Sequence, residues 1–246
     1  MIDFCNIGQI DNNTSKWGGK AVALSVLKKH GFHIPKGFVI SSDAYRAYIS
    51  DNLDLDDFRR ALVHMCRATF KSNNHVELIF RSSANIENTD FISCPGVFDS
   101  VVQNPNVELL DNVRAVWKST TSTRATAFYR LMNIVPESVS MAVLVQQRHI
   151  EHFSAVIHTS DLISNKKRIV LEYMDGHAAS VVDGWKNANT VYLQTTDDSP
   201  TDIPKEIISQ IITDCGHIES VFGYPVELEA QIGTNTICYL QARKLL

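Results

Sequence analysis

The strand pair that closes the chain constrains its fold more than any other stretch. Val226-Glu227-Leu228-Glu229-Ala230-Gln231 alternates apolar and polar residues. After a short Gly233-Thr234-Asn235 turn comes Ile237-Cys238-Tyr239-Leu240-Gln241-Ala242-Arg243. Side chains on a strand alternate between faces. Glu227, Glu229 and Gln231 therefore share one face of the first strand, and Tyr239, Gln241 and Arg243 one face of the second. A hairpin at the turn brings two carboxylates, an amide and a guanidinium onto one patch. Such a patch is expensive for stability alone, and its chemistry suits a divalent metal and a phosphate chain.

The rest of the chain is ample for a core around that patch. It has 246 residues, 44% of them hydrophobic, enough for one large domain or two lobes. A net charge of −4 carries no nucleic-acid footprint, and no polybasic run suggests a membrane surface. The apolar runs are too short to span a bilayer. Met1 to Cys5 lacks the basic and apolar regions of a secretory signal. Five scattered cysteines form no CxxC pair, so neither a zinc site nor a disulfide framework is expected, and a reducing cytoplasmic setting fits.

Helices are expected over Ala21 to His30, Asp54 to Phe70, Val107 to Lys118, Ser122 to Met132 and Pro204 to Phe222, with a short one from Ser42 to about Ile49. In the last long helix Ile207, Ile208, Ile211, Ile212, Cys215, Ile218 and Phe222 form an apolar stripe that reads as core. Strands are expected at Gly37–Ile40 and Glu77–Arg81, then as a run of short ones from Met141 onward. The break near Pro136 suggests two lobes, 1–135 and 136–246.

Three segments carry candidate chemistry. Lys16-Trp17-Gly18-Gly19-Lys20-Ala21 places two glycines and a lysine at a helix start, where backbone and ammonium favour an anion. Alone it also reads as a loop with an exposed lysine, and it is not a Walker A motif. Phe80-Arg81-Ser82-Ser83-Ala84 ends an apolar strand with a guanidinium suited to bidentate phosphate recognition, or to a surface salt bridge. Cys94-Pro95-Gly96-Val97-Phe98-Asp99-Ser100 reads as an ordinary tight turn, or as a flap whose amides cover phosphates. His149 and His152 lack a third ligand for a metal, and His158 reads as a core or hinge residue.

In their order these pieces resemble the ATP-binding domain of phosphoenolpyruvate synthase and pyruvate phosphate dikinase. Gly18-Gly19-Lys20-Ala21 and Ile34-Pro35-Lys36-Gly37-Phe38-Val39-Ile40 look like its start. Arg81-Ser82-Ser83-Ala84 is similar to its RSSA strand end. Pro95 to Ser100 stands where its phosphate loop belongs. Val116-Trp117-Lys118-Ser119 with Arg124-Ala125 and Tyr129-Arg130 is similar to its W-x-S…RA…YR helices. Met141 to Gln146 is similar to its MAVLVQ strand, and Ser154 to Thr159 stands in for SGVxFT. Pro225 to Glu229 with Leu240-Gln241-Ala242-Arg243 resembles its closing P-x-D-x-E…LQAR. The chain departs from the pattern at Ala155, at Ala230 and at Glu227, which takes the place of an Asp.

The resemblance implies an α/β (α+β) ATP-grasp-type fold, two-lobed, with mixed and antiparallel sheets, flanking helices and a nucleotide between the lobes. It implies that Lys20 and Arg81 hold ATP phosphates, with Gly96 in the phosphate loop and Glu227 in the cofactor site. Glu229 and Gln241 would bind Mg²⁺ and the phosphate chain, and Arg243 would neutralise charge. Val145 and Gln146 would form an adenine hinge through backbone groups. Lys20, Arg81 and Arg243 are thus the catalytic candidates. The implied activity is a phosphotransferase splitting ATP to AMP, with the phosphoryl group passing to a histidine on a partner chain or a following domain, or directly to a small molecule. Gly176-His177-Ala178-Ala179 reads as a loop rather than as that histidine. The alternatives are a non-catalytic nucleotide-binding module and an ATP-grasp ligase.

Overall fold

Met141 to Gln147 is nearly all apolar with no alternation, the pattern of a strand covered on both faces. The computed structural model, which describes residues 3–70, 76–87, 94, 96–164, 168–175 and 188–245, places it so. This strand, β5 (Met141–Gln147), is the middle of a five-stranded antiparallel sheet. The order is β1 (Phe4–Asn6), β2 (Gly37–Ile40), β5, β3 (Leu78–Ala84), β4 (Ser100–Val102).

Two compact units make up the chain: Met1–Lys29 with Pro35–Arg148, and His30–Ile34 with His149–Leu246. A division after residue 135 is expected from Pro136. The contacts divide the chain after Arg148 instead, because β5 is paired on both edges inside the first sheet.

In the first unit, α1 (Thr14–Trp17), α2 (Gly19–Lys29), α3 (Ser42–Ile49), α4 (Leu55–Phe70), α5 (Leu109–Lys118) and α6 (Thr123–Met132) accompany the sheet. In α5, Leu110, Val113, Val116 and Trp117 recur at helical spacing and are buried. They join Phe38, Phe80, Val143 and Val145 in one core, with Phe58 and Leu62 from α4. The start of α6 is capped by Ser122, whose hydroxyl accepts from the Ala125 N–H, and its end by Asn133 in the left-handed region.

The second unit carries a five-stranded antiparallel sheet ordered β10, β9, β6, β7, β8. Its strands are β6 (Phe153–His158), β7 (Ile169–Asp175), β8 (Asn189–Leu193), β9 (Val226–Ile232) and β10 (Ile237–Lys244). The helix α7 (Lys205–Phe222) buries Ile207, Ile208, Ile211, Cys215 and Ile218, most of the expected stripe. It stops at Gly223, whose φ of 76° suits glycine. Val226, Leu228, Ala230 and Ile232 alternate along β9 and are all buried. Gly176-His177-Ala178-Ala179 lies outside the described residues.

Candidate functional site

In the first unit, the end of β3 is locked to the start of α2. Ser83 Oγ accepts from the Ala21 N–H at 3.0 Å and donates to the Trp17 carbonyl at 3.0 Å. The two glycines are there because no side chain fits. A Cβ on Gly18 would lie 2.0 Å from the Ser83 carbonyl oxygen, and one on Gly19 would lie 2.2 Å from that of Glu87. Gly18 also has φ of +75°. The glycine pair thus brings backbone against backbone, and the helix start is pressed onto the strand end.

Lys20 follows immediately. Its ammonium donates to Glu87 Oε1 at 2.5 Å and reaches Ser82 Oγ at 3.4 Å. Glu87, 3% exposed, also accepts from the Ala84 N–H at 3.2 Å. Burial pushes its carboxyl up from the ordinary range, against the pull of Lys20 and the Ala84 amide. The exposed-lysine reading therefore fails: the Lys20 side chain is 17% exposed and ion-paired.

Arg81 lies half-buried on β3, opposite Leu144 of β5 and Ser100 of β4. It shares a strand face with Ser83, so it stands on the side that α2 covers. Gly96 sits in an exposed turn, with the Val97 N–H donating to the Cys94 carbonyl at 3.3 Å. Its φ is +65°, and a Cβ there would meet nothing within 4 Å. The turn is anchored by buried Cys94, Val97 and Phe98, and by Arg124, whose Nε donates to the Val97 carbonyl at 3.1 Å. Burial raises the Cys94 thiol to about 12, with Glu87 adding to the rise and Lys20 opposing it.

Val145 and Gln146 lie where β5 is paired with β2 on one edge and β3 on the other. Their main-chain groups are engaged in the two ladders. A backbone hinge at these two residues is therefore not supported by the register. Gln146 offers its side chain instead: at 1% exposure, its Nε2 has no hydrogen-bond partner among the described residues.

In the second unit the pairing builds rows across three strands. His158 of β6, Glu227 of β9 and Arg243 of β10 are direct neighbours, and so are Val156, Glu229 and Gln241. Between Tyr239 and Gln241 the register slips at a β-bulge. Tyr239 is thereby set opposite Ala230 and Gln241 opposite Glu229. Tyr239 is expected to share a face with Gln241 and Arg243, and the bulge turns it to the other side. Its hydroxyl donates to Asp214 Oδ2 of α7 at 2.7 Å. Gln231 is committed too: its Oε1 accepts from the Glu151 N–H at 2.9 Å and its Nε2 donates to Ser154 Oγ at 2.8 Å.

Glu227 is occupied by its neighbours. Its Oε1 accepts from Arg243 Nε at 2.6 Å and also meets the Arg243 terminal nitrogen, while Oε2 lies 3.4 Å from His158 Nε2. Burial raises this carboxyl, but His158 and Arg243 together outweigh that and hold it below its usual range. Glu229 and Gln241 remain as a facing carboxylate and amide oxygen. These are hard donors of the kind Mg²⁺ takes when waters and substrate phosphates complete its shell, so the pair fits that ion. Among the described residues no group of three or more His, Cys, Asp or Glu forms a metal cage. Nor is any described helix long and apolar enough to cross a membrane. Alternation signals that Glu227 and Glu229 share one face of their strand and Gln241 and Arg243 one face of theirs, whereas the bulge that sets Gln241 opposite Glu229, like the Glu87 and His158 contacts, carries no local signature.

The comparisons with known proteins agree with the resemblance. The chain is 26% identical to a rifampicin phosphotransferase of Streptomyces sviceus, over 62% of this chain and 21% of that protein. It is 26% identical to a phosphoenolpyruvate synthase of Aeropyrum pernix, over 68% of this chain and 25% of that protein. An uncharacterized phosphotransferase of Bacillus subtilis is 21% identical over 96% of this chain and 34% of its own length. The matches thus span about a fifth to a third of these relatives. Among solved structures, an L-amino acid ligase of Bacillus licheniformis aligns over 94% of this chain and 43% of its own, at a TM-score of 0.46 and 14% identity. A likeness at that level says nothing of what this chain binds. The family model described as pyruvate phosphate dikinase, AMP/ATP-binding domain, matches residues 55–212, and the chain belongs to that family.

Proposed function

We propose that the chain binds Mg·ATP and serves as the nucleotide-binding part of an ATP-dependent phosphotransferase. The observation that carries this is the paired row on β9 and β10. Glu229 faces Gln241 there, and one step along the strands Glu227 fixes Arg243. A metal held at Glu229 and Gln241 would supply charge neutralisation at the phosphate chain. Arg243, tethered through Nε by Glu227, presents a fixed cation beside that pair. On the family resemblance Lys20 and Arg81 are assigned as phosphate-binding cations and Gly96 to the phosphate loop, and Gln146 has a buried side-chain donor to offer. Phosphoryl transfer needs positioning and charge neutralisation more than an activated nucleophile, which matches a site of cations and hard donors.

The finer reading is that ATP is split to AMP, with the phosphoryl group passing to a histidine on a partner chain or another domain. The names of the relatives, a phosphoenolpyruvate synthase and phosphotransferases, support it. Calorimetric titration with ATP, with and without Mg²⁺, is the test. Binding should depend on the metal, and Glu229→Gln should abolish that dependence. Lys20→Ala and Arg81→Ala should each weaken binding about tenfold or more, the worth of a charge-assisted hydrogen bond of roughly 1.5–3 kcal/mol. Unchanged affinity in both would remove the phosphate-site assignment. AMP release in the presence of a histidine-bearing partner separates a phosphotransferase from a module that binds ATP without turnover.

A further inference from the structure

Beyond that assignment lies the question of what holds Lys20 in place. A lysine ends in a compact ammonium on a flexible four-carbon stem, and fixing it costs rotamer entropy. Here the stem begins at a backbone that cannot move. Gly18 and Gly19 lie against the Ser83 and Glu87 carbonyls with no space for a Cβ, and Ser83 clamps Ala21 and Trp17. The tip is fixed as well. Of three ammonium donors, one meets Glu87 at 2.5 Å and one reaches toward Ser82 at 3.4 Å. Among the described residues these are its two acceptors, which leaves one N–H for another.

Glu87 is itself held. The Ala84 N–H binds its Oε2, and the Glu87 N–H donates to the Ala84 carbonyl at 3.2 Å. Its carboxylate is thus fixed to the end of the strand that carries Arg81. Burying an ion pair is a poor way to gain stability, because desolvation offsets the attraction. Burying one on a lysine at a helix start beside a polar strand end is a good way to preorganise a phosphate-binding cation.

We propose that Glu87 is a positioning residue of the nucleotide site: it aims the Lys20 ammonium so that its third N–H points at a phosphate oxygen. The proposal rests on the reading of Lys20 as a phosphate-binding group. Glu87 touches no phosphate in this scheme and acts only through Lys20.

A double-mutant cycle on the full chain, read as ATP affinity by calorimetry, tests it. Lys20→Ala, Glu87→Gln and the double variant are compared, with denaturation midpoints confirming that each is folded. Glu87→Gln should weaken ATP binding about tenfold. The double variant should bind no more weakly than Lys20→Ala alone, to within about twofold, because Glu87 has nothing to act on once Lys20 is gone. Additive losses would show that Glu87 merely supports the fold, and tighter binding in Glu87→Gln would show that it competes with phosphate. Either result overturns the proposal. Normal affinity in Lys20→Ala defeats the underlying reading instead, so the two failures are distinct. If Glu87→Gln does not fold, Glu87→Asp takes its place in the cycle. It keeps the charge and withdraws it by one methylene, and the same outcomes decide.

Discussion

At the scale of single residues, glycine serves two different needs in this chain. Gly18 requires both a left-handed backbone and empty space, since a Cβ would overlap the Ser83 carbonyl at 2.0 Å. Gly96 requires only the backbone, with φ of +65° and no neighbour near a Cβ. Gly96→Ala should therefore cost about 1 kcal/mol, the penalty of left-handed geometry for an L-residue. Gly18→Ala adds a backbone clash and should cost at least about 3 kcal/mol. Urea denaturation of both variants measures the difference, and equal losses would refute the close approach. The glycines at 18 and 19 are legible in the sequence as a tight place next to Lys20. What occupies that place is not. Ser83 and Glu87 lie more than sixty residues away in sequence, and no local pattern pairs them with a glycine.

At the scale of elements, the closing hairpin shows where alternation succeeds and where it fails. Alternation along β9 correctly puts Glu227 and Glu229 on one face, and on β10 it correctly joins Gln241 to Arg243. It fails at Tyr239 because one extra residue, Leu240, enters as a bulge and reverses the face. A bulge leaves no residue signature here, since Tyr239-Leu240-Gln241 contains no glycine. The consequence is testable. Tyr239 belongs to the packing of α7, where burial raises its hydroxyl well above the ordinary value and Asp214 adds to the rise. Tyr239→Phe removes one of the side-chain hydrogen bonds to the half-buried Asp214 carboxylate, which keeps the one from Gln210, and should lower stability by about 1 kcal/mol. ATP affinity in the same variant should stay unchanged, whereas Arg243→Ala should reduce it. A loss of affinity in Tyr239→Phe, measured by the same titration, would return the side chain to the polar face. The short elements β1, β4 and α1 escape sequence reading for a different reason. Three or four residues span too little of either period for a pattern to form.

At the scale of the whole molecule, order along the chain and membership of a unit part company. His30–Ile34 runs between α2 and β2, both in the first unit, yet belongs to the second. Its residues explain why. Phe32 meets the edge of Tyr239, with ring centroids 5.9 Å apart, and packs against His217 of α7 at 5.2 Å. The Tyr239 N–H donates to the His33 carbonyl at 2.9 Å, so the segment adds a backbone partner to β10. A sequence-based boundary follows composition and breakers such as Pro136, and neither records a five-residue excursion of this kind. Truncating Phe32 should therefore be felt far from its sequence neighbours. Phe32→Ala removes a buried ring, a change worth about 3–5 kcal/mol in a well-packed core. Hydrogen exchange on the full chain should lose protection in α7 and β10 while β2, only a few residues downstream of the substitution, keeps its own. Loss of protection in β2 and β5 instead would assign the segment to the first unit and would require the division of the chain to be redrawn there.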